Sequence, residues 1–443
     1  LSHILGFGGE LLSQDKMSRR SYLKYAGAAV AVGALAVAGY SAYNNWGKPV
    51  TPSPAGSKKK VKIGGTKPFT GPDAVFGISE SNGSKLWAKM VNEAGGIKAG
   101  DGNTYEIELV LYNDEQKPEN VPRLYEKLIN DDKVDFLLGP VWGPLGMATV
   151  PVVEKYKKFE VYGTCSFDPL SYRDWRYIVH VITNGPEYMT TIEDMIMERV
   201  WPNDPEAKNV AIVYGDNMFA RTVGVAGADY AKEKGFNVLL TESYNTATLT
   251  DFTPLLTKIK NAQPSIVLSA AEYAPAILMI KQMVELDLNL KLLWAGTGAV
   301  MQKYYEALTK YAEETITCTQ WEKGMVFKQD YGPSHDEFIA AYMKEHNETP
   351  DYTCATGFQQ GLVLQRAMEL SKDPLNSDEV RKTAGEMDMT TFYGKFNVDP
   401  VTGWQIGHKM GVIQWRNGEK IVTWPMEANP QQLVYPMKKW KER

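Results

Sequence analysis

Few residues in this chain are arranged for covalent chemistry. Cys165 stands in "GTCSFDP", a loop between a β-type run and an expected helix start, where a thiolate would be stabilised. No histidine neighbours it in sequence, so a small buried thiol is the simpler reading. The five histidines, His3, His180, His335, His346 and His408, show no metal-ligand spacing. The sequence holds no GxxxxGK[ST] phosphate loop, no GxGxxG turn after a strand, no GxSxG elbow and no HExxH. Neither a catalytic residue nor a metal or other cofactor is expected.

Binding residues are easier to nominate. Loops that follow β-type runs read "KPFTGPDAVFG", "GPVWGPLG", "GTCSFDP", "GDNMFA", "AEYAP" and "AGTGAV". They are rich in glycine, hydroxyls and aromatics and poor in charge, which suits a small neutral or zwitterionic molecule. Trp142 lies between Gly139 and Gly143 in a loop with two prolines, where neither helix nor strand calls for a large side chain. It is expected to form a pocket wall. Trp294, inside a β-type run, is expected to fill a core.

The elements that would position these loops alternate regularly. "VKIGG", "YEIELVLYND", "VDFLLG", "FEVYGT", "NVAIVYGD", "SIVLSA" and "KLLWAG" read as strands, several too continuously apolar for a sheet with one wet face. Helices are expected at 85–94, 118–130, 219–234 and 274–286, the third stopped by Gly235. Repeated βα units imply an α/β fold with open, doubly wound parallel sheets, two in a chain of this length. Hydrophobic residues at 44% and charged residues at 23% fit a globular protein. A net charge of −5 argues against a nucleic-acid partner. The three cysteines, far apart in sequence, predict no structural disulfide.

Near the start, "MSRRSYLK" at 17–24 precedes an uncharged run at 25–43. Paired arginines ahead of an apolar run predict export by the twin-arginine route, with translation beginning at Met17. As a helix the run would span about 28 Å, close to the roughly 30 Å of a hydrocarbon core. Ala36 and Ala38 form a cleavage pattern, so two outcomes stand: an anchored protein or a released one. Residues 1–24 would be a cytoplasmic leader, 25–45 the signal or anchor helix, and 46–60 a flexible tether.

From Val61 to about Pro425 the chain resembles the solute-binding proteins of branched-chain amino-acid type ABC importers. The likeness rests on "VKIGGTKPFTGPDAVFG", "AKMVNEAGGIKAGDGNTYEIELVLYNDEQKPENV", Gly139-Pro140, "KNVAIVYGDNMFA" and "TFYGKFNVDPVTGWQIGHKMGVIQWRNGEKIV", in that order. The resemblance implies the type I periplasmic binding fold: two α/β lobes joined by three crossovers, expected at 183–186, 319–324 and 387–392. Lobe one would comprise 61–183 and 325–387, lobe two 184–324 and 388–430, with 431–443 a tail. It further implies that a solute binds between the lobes and that permease subunits receive it.

Matched residue by residue, the solute contacts would be Trp142, Gly143, Thr164, Cys165 and Ser166, with Phe76 from the first loop and Phe219 and Tyr273 from the opposite lobe. Amino-acid binders of the family place an acid where "AGTGAV" has Gly298, so Glu272 is the expected substitute for pairing an ammonium. Otherwise the solute lacks that group and is a carboxylate, an amide or a sugar. A ligand-sensing receptor ectodomain is the alternative function, since one fold serves several roles.

Overall fold

The structure is a computed structural model that describes residues 58–71, 74–166 and 175–443. The expected leader, signal helix and most of the tether lie outside the described residues. Among those described, no helix is long and apolar enough to cross a membrane.

Six strands form the first sheet: β1 (Lys59–Lys67), β2 (Ile97–Lys98), β3 (Thr104–Asn113), β4 (Phe136–Leu138), β5 (Glu160–Tyr162) and β6 (Ile178–His180). Their spatial order is β2-β3-β1-β4-β5-β6, parallel except for β2. β1 starts at Lys59, inside the expected tether, because Lys59 and Lys60 pair with Tyr105 and Glu106 of β3. The second sheet contains β7 (Asn209–Gly215), β8 (Asn237–Tyr244), β9 (Ile266–Ala270), β10 (Leu292–Trp294) and β11 (Ile316–Thr319). After a small hairpin, β12 (Asp388–Thr391) and β13 (Gly394–Asn397), strands β14 (Gly411–Arg416) and β15 (Glu419–Trp424) complete it in the order β15-β14-β11-β10-β9-β7-β8. β7 to β11 run parallel, and β14 and β15 run antiparallel.

Buried runs such as Ile266–Ala270 have both faces covered by helices, as their unbroken apolar character requires. β8 was not expected, because its residues alternate between exposed and half-buried at the sheet edge, without a continuous apolar run. The Ala74–Glu93 helix begins well before the expected 85–94. Its first half is rich in glycine and serine because it lies against the Tyr352–Leu370 helix: a Cβ on Gly83 would sit 1.9 Å from the Cys354 carbonyl oxygen.

Three passages join the lobes, and buried amides stitch them together. Gln320 accepts from the Thr183 N–H at 3.3 Å and donates to Thr183 Oγ1 at 2.9 Å. His408 Nε2 meets the Gln320 carbonyl at 3.0 Å, and Gln405 donates to the Val181 carbonyl at 3.4 Å. The first passage follows β6 and the second follows β11, and the chain does not leave lobe one at 387–392. Phe392 stacks on Phe338 at 4.1 Å, Tyr393 bonds Thr356 at 2.6 Å, and Trp404 stacks on His180 at 4.0 Å. These aromatic contacts hold 388–405 on lobe one, and the third passage runs through 406–410 into β14. Residues 431–443 pack on lobe two, where Trp440 is buried and donates to the Leu288 carbonyl at 2.6 Å.

Candidate functional site

In both sheets the chain order reverses beside the first strand of the lobe, β1 and β7, and loops leaving the carboxyl ends of neighbouring strands diverge there. Between the two sets of loops lies a cavity of about 900 Å³. Lobe one contributes Phe76 after β1, Gln116 after β3, Trp142 and Gly143 after β4, and Thr164 and Ser166 after β5. Phe219 after β7, Glu272 and Tyr273 after β9, and Gly298 after β10 face them from lobe two.

Nine of the ten nominated residues therefore line one cavity, and Cys165 does not. Its thiol is fully buried behind the loop and donates to the Pro140 carbonyl at 3.0 Å. Burial, and then the nearby Glu80 carboxylate, push the thiol well above its ordinary pKa, so no thiolate forms there. Alternation explains the miss: Thr164 and Ser166 face the cavity and the residue between them faces the core.

Trp142 caps the Gly143–Tyr156 helix with φ 77° and ψ 145°, a backbone state that a bulky residue avoids. Such a state costs on the order of 1–3 kcal/mol and persists where surrounding contacts enforce it. Here it sets the indole against Phe76, edge to face at 5.0 Å. The Trp142 Nε1–H is buried with no partner. The helix that follows begins at the cavity with Gly143, Pro144 and Leu145; Pro144 has no N–H and the Gly146 N–H bonds the Trp142 carbonyl at 3.0 Å, so Gly143 and Leu145 carry the first-turn N–H groups suited to an anionic group.

The hydroxyls of the two small residues are engaged. Thr164 Oγ1 donates to Glu80, and Ser166 Oγ donates to the Thr183 carbonyl at 3.1 Å. Neither donates to a solute while these bonds stand, because a hydroxyl has one proton.

Gly298 has a structural reason. A Cβ there would lie 2.1 Å from the Tyr273 backbone nitrogen and 2.5 Å from the Glu272 carbonyl carbon, so no acidic side chain fits. Glu272 sits on the adjoining loop, exposed, at the start of the Tyr273–Glu285 helix. Among the described lining residues, Glu272 and Lys303 are the charged ones.

Sequence reading missed Tyr188, Gln320 and Tyr352, which also line the cavity. Tyr188 and Gln320 adjoin the first two passages, and that position was the available signal. Gln320 donates to the Tyr188 hydroxyl at 3.1 Å, which leaves the phenolic proton for another acceptor. Burial raises the Tyr188 and Tyr352 pKa values, so both remain neutral donors at ordinary pH. Tyr352 had no local signal, since it opens a helix far along the chain from every other lining segment.

A two-lobed α/β protein with a solute-sized cleft at the strand ends is a binding protein by architecture. The periplasmic binding protein family matches residues 60–420, and this chain belongs to it. Leu/Ile/Val-binding protein homolog 7 of Brucella abortus (strain 2308) is 22% identical over 388 residues, covering 85% of this chain and 94% of that protein. A putative branched-chain amino acid ABC transporter protein from Silicibacter pomeroyi shares the fold with a TM-score of 0.72 at 18% identity, over 85% of this chain and 99% of its own. The solute-binding protein of an ABC transporter from Rhodopseudomonas palustris BisB5, solved with 3,4-dihydroxybenzoic acid, has a TM-score of 0.64 at 22% identity, covering 82% and 95%.

Proposed function

We propose that this protein captures a small solute, an amino acid or close analogue, between its lobes outside the cytoplasm and delivers it to the permease of an ABC importer. The observation that carries the reading is the cavity of about 900 Å³ lined by loops from both lobes. A solute touching both lobes favours the closed form by its differential affinity for that form, and permease subunits then read closure. Micromolar affinity, about −8 kcal/mol, is ample to bias such a hinge. The solute's anionic group goes to the N-terminus of the Gly143–Tyr156 helix and its ammonium to Glu272. Phe76, Trp142, Phe219 and Tyr273 enclose its apolar part. No step of catalysis is assigned to the cleft.

A second reading, a carboxylate without an ammonium, draws on Gly298, where no acid fits. The dihydroxybenzoate carried by one structural neighbour has that chemistry. Calorimetry of the purified protein with L-leucine and with 3,4-dihydroxybenzoate separates the two. Heat with L-leucine, contraction of the scattering profile and recovery of unchanged solute are expected; a converted product would overturn the binding role. Export by the twin-arginine route belongs to the same reading, and Arg19→Lys with Arg20→Lys is expected to abolish accumulation outside the cytoplasm.

A further inference from the structure

Lys67, the last residue of β1, and Glu80, in the Ala74–Glu93 helix, form an ion pair with neither side chain exposed to solvent. Removing two charges from water is costly, and the attraction between them repays it only when their remaining valences are also satisfied. Those valences go to the two lobe-one loops that line the cleft. Lys67 Nζ donates to the Gly139 carbonyl, at the start of the loop carrying Trp142 and Gly143. Glu80 accepts from the Thr164 hydroxyl, and from the Thr164 N–H at 3.4 Å, in the loop carrying Ser166.

The fit around these bonds is close. A Cβ on Gly163 would lie 2.5 Å from Glu80 Oε1, and one on Gly139 would lie 2.5 Å from the Tyr162 ring. Trp142 N–H donates to the Thr164 carbonyl at 3.3 Å, which ties the two loops to each other. Well-packed apolar residues in place of a buried ion pair are often neutral or stabilising. Fold stability alone therefore gives no reason for two charges at this spot, whereas the carbonyl and the hydroxyl of the loops do.

We propose that Lys67 and Glu80 are positioning residues for the solute site: together they fix the Gly139 and Thr164 loops, and Glu80 keeps the Thr164 hydroxyl from donating to a solute. Lobe one then meets an anionic solute group with N–H donors, and Thr164 offers that group nothing. The role in solute capture rests on the binding function proposed above; the fixing of the loops does not.

The test uses the full-length chain, with hydrogen exchange read on peptides covering 139–146 and 163–166, and titration with L-leucine and with 3,4-dihydroxybenzoate. The double variant Lys67→Met/Glu80→Met is expected to melt close to the wild type. Exchange in both loops should nevertheless rise about tenfold or more, with a loss of affinity of at least that size for whichever probe the wild type binds. Lys67→Met/Glu80→Gln, which removes both charges but retains an acceptor for Thr164, should recover most of the protection in 163–166. Should the double variant fail to fold, Thr164→Val cuts only the hydroxyl link. Faster exchange in 163–166 is expected there, with rescue by Thr164→Ser. Wild-type exchange in both loops of the double variant overturns the proposal, as does wild-type exchange in Thr164→Val. If the wild type binds neither probe, the solute assignment fails while the exchange result still decides whether the pair positions the loops.

Discussion

Behind the cleft loops of lobe one lie Lys67, Glu80 and Glu160, all fully buried; behind those of lobe two lie Leu268, Ala270, Trp294 and Ala295. Glu160 accepts from Tyr125 at 2.5 Å and Thr149 at 2.8 Å, and burial raises its pKa to about 7. The lobe-two loops are held differently. Gly296 and Gly298 press against the backbone of Ala271 and Tyr273, so close that a Cβ on either would fall 2.1 Å from it. One half of the cleft is fixed by directional bonds to charged groups, the other by backbone contact that tolerates no side chain. The first can be undone by changing a charge without changing volume, the second by adding a single carbon.

The largest effect should come from lobe one. Lys67→Met leaves the buried Glu80 carboxylate uncompensated, an expected loss of ~3–5 kcal/mol in denaturant unfolding. Adding Glu80→Met should recover most of it. A double variant no more stable than the single would remove the distinction between the halves. Next in size, Gly298→Ala forces a carbon into the Tyr273 backbone, and overpacking of that kind costs ~1–3 kcal/mol. No change of charge nearby should rescue it, a result to check with Glu272→Gln in the same background.

Glu193 sharpens the comparison, because it is a fully buried carboxyl of lobe two with neither oxygen hydrogen-bonded. Burial, and then the neighbouring Asp194, raise its pKa from 4.5 to about 9. Between those values the folded chain holds a proton that the unfolded chain has released, so stability falls as pH rises through this window. Glu193→Gln should therefore raise the melting temperature more at pH near 9 than at pH near 4.5, by at least ~2–4 °C, the shift that about 1 kcal/mol produces. Equal shifts at both ends would mean that the carboxyl is not protonated in the fold. The smallest effect on the fold belongs to Glu272→Gln. The side chain is exposed, so melting should be unchanged while affinity for L-leucine falls about tenfold, roughly 1.4 kcal/mol. Unchanged affinity would send the search for the ammonium partner elsewhere or favour a solute without one.

The sequence by itself determined the α/β alternation, because continuously apolar runs such as "SIVLSA" have no stable home except between two layers of helix. It also determined most of the cleft, since ligand loops of such sheets follow strand ends and strand ends are local features. Edge strand β8 escaped because half of it faces water, and the third passage between lobes was read one hairpin early because nothing local marks Phe392 as part of an aromatic cluster. Only the tertiary structure decided which way Cys165 points, why residue 298 has no side chain, and that Tyr352 reaches the cleft. The pairing of Lys67 with Glu80 was likewise unreadable: thirteen positions apart on different elements, each reads as an ordinary surface charge until the sheet and helix enclose them both. The physical reason is common to all four. Burial and close approach are set by segments distant in sequence, whereas periodicity is written in neighbouring residues.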